Sequence, residues 1–256
     1  MTVTHAVREL MANESIVYFG DTAHLPYGDK SKELIKQYTG RIAQFLIDKD
    51  CKAVIVACNT ASAYGFDAVE SACDKAGIPC FNVVDPVVEH VAEYLSNSTI
   101  GVIGTKGTIK SRVYLSRLKK LVPEIKAVSA ATPLLAPMIE EGYFANNISQ
   151  TIINSYLSKP SLKDVDVIVL GCTHYPLIKT EVEKYYKGKV KVIDSAEVVA
   201  RTVARELKVA KLNSTSSTAS TLQFFVSDYT PSFARSSMIF FGERVELEEV
   251  RIWDQP

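Results

Sequence analysis

Two cysteines stand at matching places in this sequence. Cys58 follows Ala53-Val54-Ile55-Val56-Ala57 and precedes Asn59-Thr60, whereas Cys172 follows Val167-Ile168-Val169-Leu170-Gly171 and precedes Thr173-His174-Tyr175-Pro176. Each run of β-branched residues predicts a buried parallel strand, and the small polar residues after it suit the start of the next segment. In an open α/β sheet, ligands bind beyond the carboxyl ends of the strands, so a thiol there is placed for chemistry. A free cysteine is commonly just a small buried hydrophobe, but the repeated arrangement favours a reactive pair. A thiol has an ordinary pKa of about 8.5, and a helix N-terminus lowers it, so near neutral pH one sulfur can be thiolate while its opposite number is thiol. Such a pair can take a proton from one face of a carbon and return one to the other, which inverts the centre.

The elements that must position these thiols follow from hydrophobic period. Residues 3–12 have helical spacing and lead to a strand at 15–20; helices are expected at 31–49 and 61–76, the latter ended by Gly77. Between them lies a loop, residues 21–28, whose His24 and Tyr27 face either a pocket or solvent. Strands are expected at 80–84 and 99–104 with a helix at 86–95 between them. The glycine-rich stretch 104–108 matches neither phosphate-binding spacing and reads as an ordinary strand-to-helix turn. A helix at 111–121 and a strand at 125–129 precede a short apolar segment that ends in Glu140-Glu141, a charge pair that by itself reads as solvated. Helices at 148–159 and from 177 to 186 flank the second cysteine strand, and a strand at 190–194 ends in Asp194-Ser195, which caps a helix at 196–207. Residues 211–221 are a polar, low-complexity loop, followed by a strand at 221–227, a helix at 231–241 and an edge strand or arm at 245–253. The alternation predicts an α/β protein of two similar parallel-sheet domains facing a central cleft, residues 1–82 with 192–256 and residues 83–191.

Composition narrows the chemistry. Of 256 residues, 29 are basic and 29 acidic, so no positive field draws in nucleic acid. No apolar run approaches the roughly 20 residues of a membrane span, and the first residues lack a signal-peptide pattern, which together predict a cytoplasmic protein without a membrane partner. The five cysteines are odd in number and contain no C-x-x-C pair, and with the four histidines they show no metal-ligand spacing. Cys51, Cys73 and Cys80 read as packing residues.

The motifs as a set resemble the glutamate racemases of the aspartate/glutamate racemase superfamily. The resemblance rests on Gly20-Asp21-Thr22-Ala23 with Pro26-Tyr27-Gly28, Ala57-Cys58-Asn59-Thr60-Ala61-Ser62, Gly101-Val102-Ile103-Gly104-Thr105, Pro133-Leu134-Leu135, Gly171-Cys172-Thr173-His174-Tyr175-Pro176-Leu177 and Val192-Ile193-Asp194-Ser195-Ala196. It covers nearly the whole chain. It implies cofactor-independent interconversion of L- and D-glutamate for bacterial peptidoglycan, by a cytoplasmic homodimer. By the same resemblance Cys58 acts on the D-enantiomer and Cys172 on the L-enantiomer, His174 and Glu140 assist the thiols or hold the amino group, and Tyr27 and Gly28 bind substrate. Substrate carboxylates suit Asn59, Thr60 and Thr173 at the helix starts. The sequence departs from the family in lacking a first strand that ends in Asp-Ser-Gly-x-Gly-Gly, with its aspartate and serine, and in carrying Thr132 where many members have a third cysteine. Racemisation of another acidic amino acid such as aspartate, or a non-catalytic binding role toward a protein such as DNA gyrase, are the alternatives the sequence leaves open.

Overall fold

The computed structural model describes residues 1–215 and 219–253. The chain opens with α1 (Thr2–Leu10) and β1 (Ile16–Gly20), and two 3-10 turns, Thr22–His24 and Tyr27–Asp29, lead into α2 (Lys32–Asp48). β2 (Val54–Val56) is followed by α3 (Asn59–Tyr64) and α4 (Phe66–Ala76) where the sequence predicts a single helix over 61–76. At the break, Gly65 lets α2 approach closely. Thr39 of α2 packs there, its hydroxyl donating to the Gly65 carbonyl at 3.0 Å, and a Cβ on residue 65 would lie 2.2 Å from that oxygen. As expected, α4 ends at Gly77, in the left-handed region with φ 69°.

The remaining elements are β3 (Cys80–Asn82), α5 (Asp85–Tyr94), β4 (Thr99–Gly104), α6 (Lys106–Ser111), α7 (Val113–Leu121), β5 (Lys126–Ala131), α8 (Leu135–Glu140), α9 (Asn147–Leu157), β6 (Val167–Gly171), α10 (Lys179–Tyr185), β7 (Lys191–Ile193), α11 (Ser195–Val209), β8 (Leu222–Val226), α12 (Pro231–Phe241) and β9 (Leu247–Glu249). The glycine-rich stretch is a strand-to-helix turn whose helix begins earlier than its periodicity suggests, because the Thr105 hydroxyl accepts the Thr108 amide and caps it. Asp194 caps α11 as expected, accepting the Ala196 amide at 2.8 Å. The polar loop at 211–221 is described except for residues 216–218, which lie outside the described residues together with 254–256.

All strand pairs are parallel, which the βα alternation requires. The central sheet runs β5-β4-β6-β7. Every residue of β6 is buried, since helices cover both faces: Leu135, Ile139 and Ile153 pack with Ile168 and Leu170 on one side, and Val91, Tyr114 and Leu118 with Val167 and Val169 on the other. Each such aliphatic side chain contributes on the order of 1.5–3 kcal/mol. β7 pairs with β6 through Ile193, so the expected switch at residue 192 falls inside a strand of this sheet.

The other half holds two separate sheets, β1-β8-β9 and β2-β3. α1 and α11 cover one side with Val3, Val7, Val199 and Val203, and α2 and α4 cover the other with Ile35, Ala43, Val69 and Cys73. In contrast to β6, Ile16 to Phe19 of β1 are only half-buried.

Candidate active site

β2 and β6 each deliver a cysteine at the carboxyl end. Cys172 follows β6 directly and Cys58 immediately precedes α3, and both border one cavity of about 890 Å³. The same cavity is bordered by Tyr27, Gly28, Asn59, Thr60, Glu140, Thr173 and His174, so the structure brings together all of the candidates that the sequence singled out.

The two sulfurs have different surroundings. At Cys58, burial pushes the thiol up, the amides of Ala61 and Thr60 at the start of α3 oppose it, and charge on Cys172 adds to the rise, leaving a pKa of about 11. The helix start therefore acts in the expected direction and loses to desolvation. The α-amino group of Met1, also bordering the cavity, is itself pushed down to about 5 by burial, so at neutral pH it adds no positive charge beside Cys58. Cys58 is a thiol at neutral pH.

Cys172 is 6% exposed, and its Sγ lies 3.6 Å from Nδ1 of His174. The other ring nitrogen, Nε2, lies 2.9 Å from Oε1 of Glu140 at the end of α8. Burial pulls the imidazole down, but charge and hydrogen bonding from Cys172 and Glu140 outweigh it and raise its pKa to about 9. At neutral pH His174 is an imidazolium between a sulfur and a carboxylate, with the Phe240 ring edge-on at 4.8 Å. The Glu140 that periodicity alone places in solvent is thus the outer member of a relay.

The polar neighbours divide by whether their side chains are already engaged. Asn59, 2% exposed, accepts the Tyr114 hydroxyl on Oδ1 at 2.6 Å, while its Nδ2 is buried without a partner among the described residues. Thr60 is tied to the turn after β4, its hydroxyl 2.8 Å from that of Thr105 and 3.2 Å from that of Thr108. Gly28 lies against the same turn, where a Cβ would sit 3.0 Å from the Thr105 Cβ. The Thr173 carbonyl accepts the Thr2 hydroxyl at 2.6 Å. Thr132 is fully buried and shares hydrogen bonds with the Tyr175 hydroxyl, a partner that suits a threonine there.

Sequence reasoning missed Asp21. Its carboxylate, at the carboxyl end of β1, accepts from the Tyr27 hydroxyl at 2.6 Å and the Ser227 hydroxyl at 2.8 Å, and holds His24 Nδ1 at 2.9 Å. Burial and this carboxylate push the Tyr27 phenol far up, so it stays a neutral donor. The strand-end criterion applied to the cysteines would have found it, since Asp21 directly follows a strand. Tyr114 lies within α7 and gave no such signal.

Among the described residues no cluster of three or more His, Cys, Asp or Glu side chains is arranged to hold a metal ion, and no helix is long and apolar enough to cross a membrane.

Known proteins resemble this chain in sequence and fold. A model of the Asp/Glu/Hydantoin racemase family matches residues 2–203. The glutamate racemase of Geobacter metallireducens is 38% identical over 245 residues, covering 96% of this chain and 90% of that protein. That of Aquifex aeolicus is 40% identical over 246 residues, covering 96% and 91%. Among solved structures, the glutamate racemase of Francisella tularensis in complex with D-glutamate superposes with a TM-score of 0.92 at 34% identity, covering 99% of this chain and 94% of that one. A glutamate racemase isoform of Bacillus anthracis does so with a TM-score of 0.90 at 30% identity, covering 97% and 92%. The chain therefore belongs to the Asp/Glu/Hydantoin racemase family, with the glutamate racemases, and is an amino-acid racemase.

Proposed function

We propose that this chain interconverts L- and D-glutamate without a cofactor, with Cys58 and Cys172 as the two proton-transfer groups. The observation that carries the reading is the unequal pair of thiols on one cavity: Cys58 held as a thiol by burial, and Cys172 beside an imidazolium. In the L-to-D direction the Cys172 thiolate takes the α-proton, and its electron pair is left on the α-carbon and spreads into the neighbouring carboxylate. Cys58 then donates its S–H proton to the opposite face. The sulfurs end with exchanged protonation, and the reverse direction uses each in the other role.

The remaining residues stabilise the charge that develops. The His174 imidazolium, oriented by Glu140, places a positive charge beside the Cys172 sulfur. The unpaired Asn59 amide gains a partner when a substrate carboxylate enters, and the first amides of α3 lie beside Cys58. Thr60 and Gly28 shape the wall more than they bind, because their contacts are to Thr105 and Thr108, whereas Tyr27 is fixed as a donor by Asp21. Thr173 borders the same wall. We assign residues 1–82 with 194–256 and residues 83–193 as the two domains that bound this cleft. The product class fits a cytoplasmic supply of D-glutamate for peptidoglycan.

Circular dichroism of D-glutamate and of D-aspartate, each incubated with protein treated with chelator and stripped of carbonyl cofactors, tests this reading. We expect loss of ellipticity to zero with D-glutamate and at least tenfold slower change with D-aspartate. Equal rates, or dependence on an added cofactor, would contradict it.

A further inference from the structure

The turn that holds Cys172 and His174 also holds a phenol for which the reaction has no use. Tyr175 follows His174 directly, opens the 3-10 turn Tyr175–Ile178, is fully buried, and donates its backbone amide to the Cys172 carbonyl at 3.1 Å. Its hydroxyl meets Thr132, also fully buried, donating to the carbonyl at 3.1 Å and lying 2.7 Å from the hydroxyl. Thr132 joins β5 to α8: its amide donates to the Gly104 carbonyl at the end of β4 at 2.9 Å, and its own carbonyl accepts the Leu135 amide, the first of α8, at 3.1 Å. The foot of α8 is tied to α9 as well, where the Tyr156 hydroxyl accepts the Leu134 amide at 3.3 Å, and just beyond α9 the Lys159 ammonium donates to the Ala131 carbonyl at 3.0 Å. α8 has only 6 residues, about 9 Å of rigid helix, and Leu135, Met138 and Ile139 bury it in one cluster with Cys172 and Tyr175. Glu140 is its last residue. One short path therefore connects the relay's two members: His174 to Tyr175 along the chain, Tyr175 to Thr132 by hydrogen bonds, and Thr132 to Glu140 along α8.

We propose that Tyr175 and Thr132 are positioning residues: their buried hydroxyl contact clamps the turn of Cys172 and His174 to the foot of α8 and so holds Glu140 against the imidazole. Packing alone does not call for these groups. A phenylalanine at 175 and a valine at 132 would fill the same space, and a buried hydroxyl is costly unless it is bonded. What the hydroxyl pair adds is direction, because a hydrogen bond tolerates only a narrow range of distances and angles, so the turn seats on α8 in one register. Burial and charge on Cys172 push the Tyr175 phenol far up, so it stays a neutral donor to the Thr132 carbonyl. The His174 ring is met by Cys172 on its own turn, by Glu140 on α8 and by the uncharged Phe240 on α12, with Glu141 and Cys58 bordering the same cavity. The inference rests on the reading of Glu140 and His174 as a relay, but its test follows the protonation of His174 and not turnover, so it fails separately from the two-cysteine reaction.

The full chain is labelled at histidine Cε1 and titrated by proton–carbon NMR from below neutrality to well above the His174 pKa of about 9, the His174 signal being the one that is missing from His174→Gln. Tyr175→Phe and Thr132→Val should each lower that pKa by about half a unit or more, as Glu140 loses part of its contact. Thr132→Ser keeps the hydroxyl and should leave it in place. Tyr186→Phe removes another phenol donor, bonded to the Leu162 carbonyl at 3.1 Å, and controls for general loosening; it should not move His174. In a Glu140→Gln background, Tyr175→Phe should lower the pKa no further, because the carboxylate that it positions is gone. Thermal unfolding shows which variants are folded, and Thr132→Val decides alone if Tyr175→Phe is not. An unchanged His174 in the folded Tyr175→Phe or Thr132→Val variants, an equal fall with Tyr186→Phe, or a further fall of the same size on top of Glu140→Gln would overturn the proposal.

Discussion

Replacing Glu140 by Gln removes the carboxylate from the relay without changing its shape. In the intact site His174 has a pKa of about 9, so it is protonated across the neutral range, and that proton is lost as pH rises through 9. The side chains of His174 and Glu140 are 27% and 37% exposed, so solvent screens their 2.9 Å contact and the shift belongs at the low end of what an opposite charge produces, about one unit. The alkaline limb of kcat/KM should therefore move from about 9 to about 8. At pH 8.5 the protonated fraction of His174 falls from about three-quarters to about one-quarter, a threefold loss, whereas at pH 7 it changes by only about a tenth. The assay is kcat/KM against pH, by circular dichroism, for each enantiomer. Because the two enantiomers are equally stable in water, both directions must give the same kcat/KM at every pH, which provides an internal check. A limb that stays at 9, or a loss that is equal at all pH values, would refute the role of Glu140 as the group that holds His174 charged.

Three other perturbations probe separate parts of the structure. Tyr114→Phe leaves the buried Oδ1 of Asn59 without its donor, which should cost about 1–3 kcal/mol in thermal unfolding and raise KM more than it lowers kcat; an unchanged KM would detach Asn59 from substrate. Gly65→Ala forces a methyl group onto the Thr39 hydroxyl and should destabilise the fold by about 1–3 kcal/mol, with the Thr39→Ala, Gly65→Ala double variant losing less than the sum of the two single variants if the clash is the cause. Alkylation of Cys58 by iodoacetamide, followed by peptide mass spectrometry, should be slow at pH 7 and quicken about tenfold per pH unit up to about 11, because only the thiolate reacts; a plateau below pH 9 would show that burial does not hold it protonated.

The residues that carry the chemistry were legible because strands in a parallel sheet end where ligands bind, and both thiols announce themselves after β-branched runs. Asn59 and Glu140 were nameable, but their geometry was not. That Asn59 keeps one free donor depends on Tyr114, which is 55 residues away and crosses from α7, a contact that no local pattern encodes. Gly65 is similar: the 3.6-residue period continues across it, and the close approach of α2 there has no local signal. Which of the two sulfurs is held as a thiol was not legible, because the helix start is visible in sequence and the depth of burial that raises Cys58 is not. Separation of β1 from β2 likewise depends on which strands meet in space, which alternation alone leaves open.

The most direct test of the two-thiol reading is solvent deuterium exchange by single-cysteine variants. In D2O each remaining sulfur should take the α-proton of one enantiomer and return deuterium to the same face. Cys58→Ala should label L-glutamate without inverting it and leave D-glutamate unlabelled, and Cys172→Ala should do the converse, both read by proton NMR with chiral separation. Racemisation by either variant at more than about one-hundredth of the parent rate, or labelling of both enantiomers by one of them, would contradict the account.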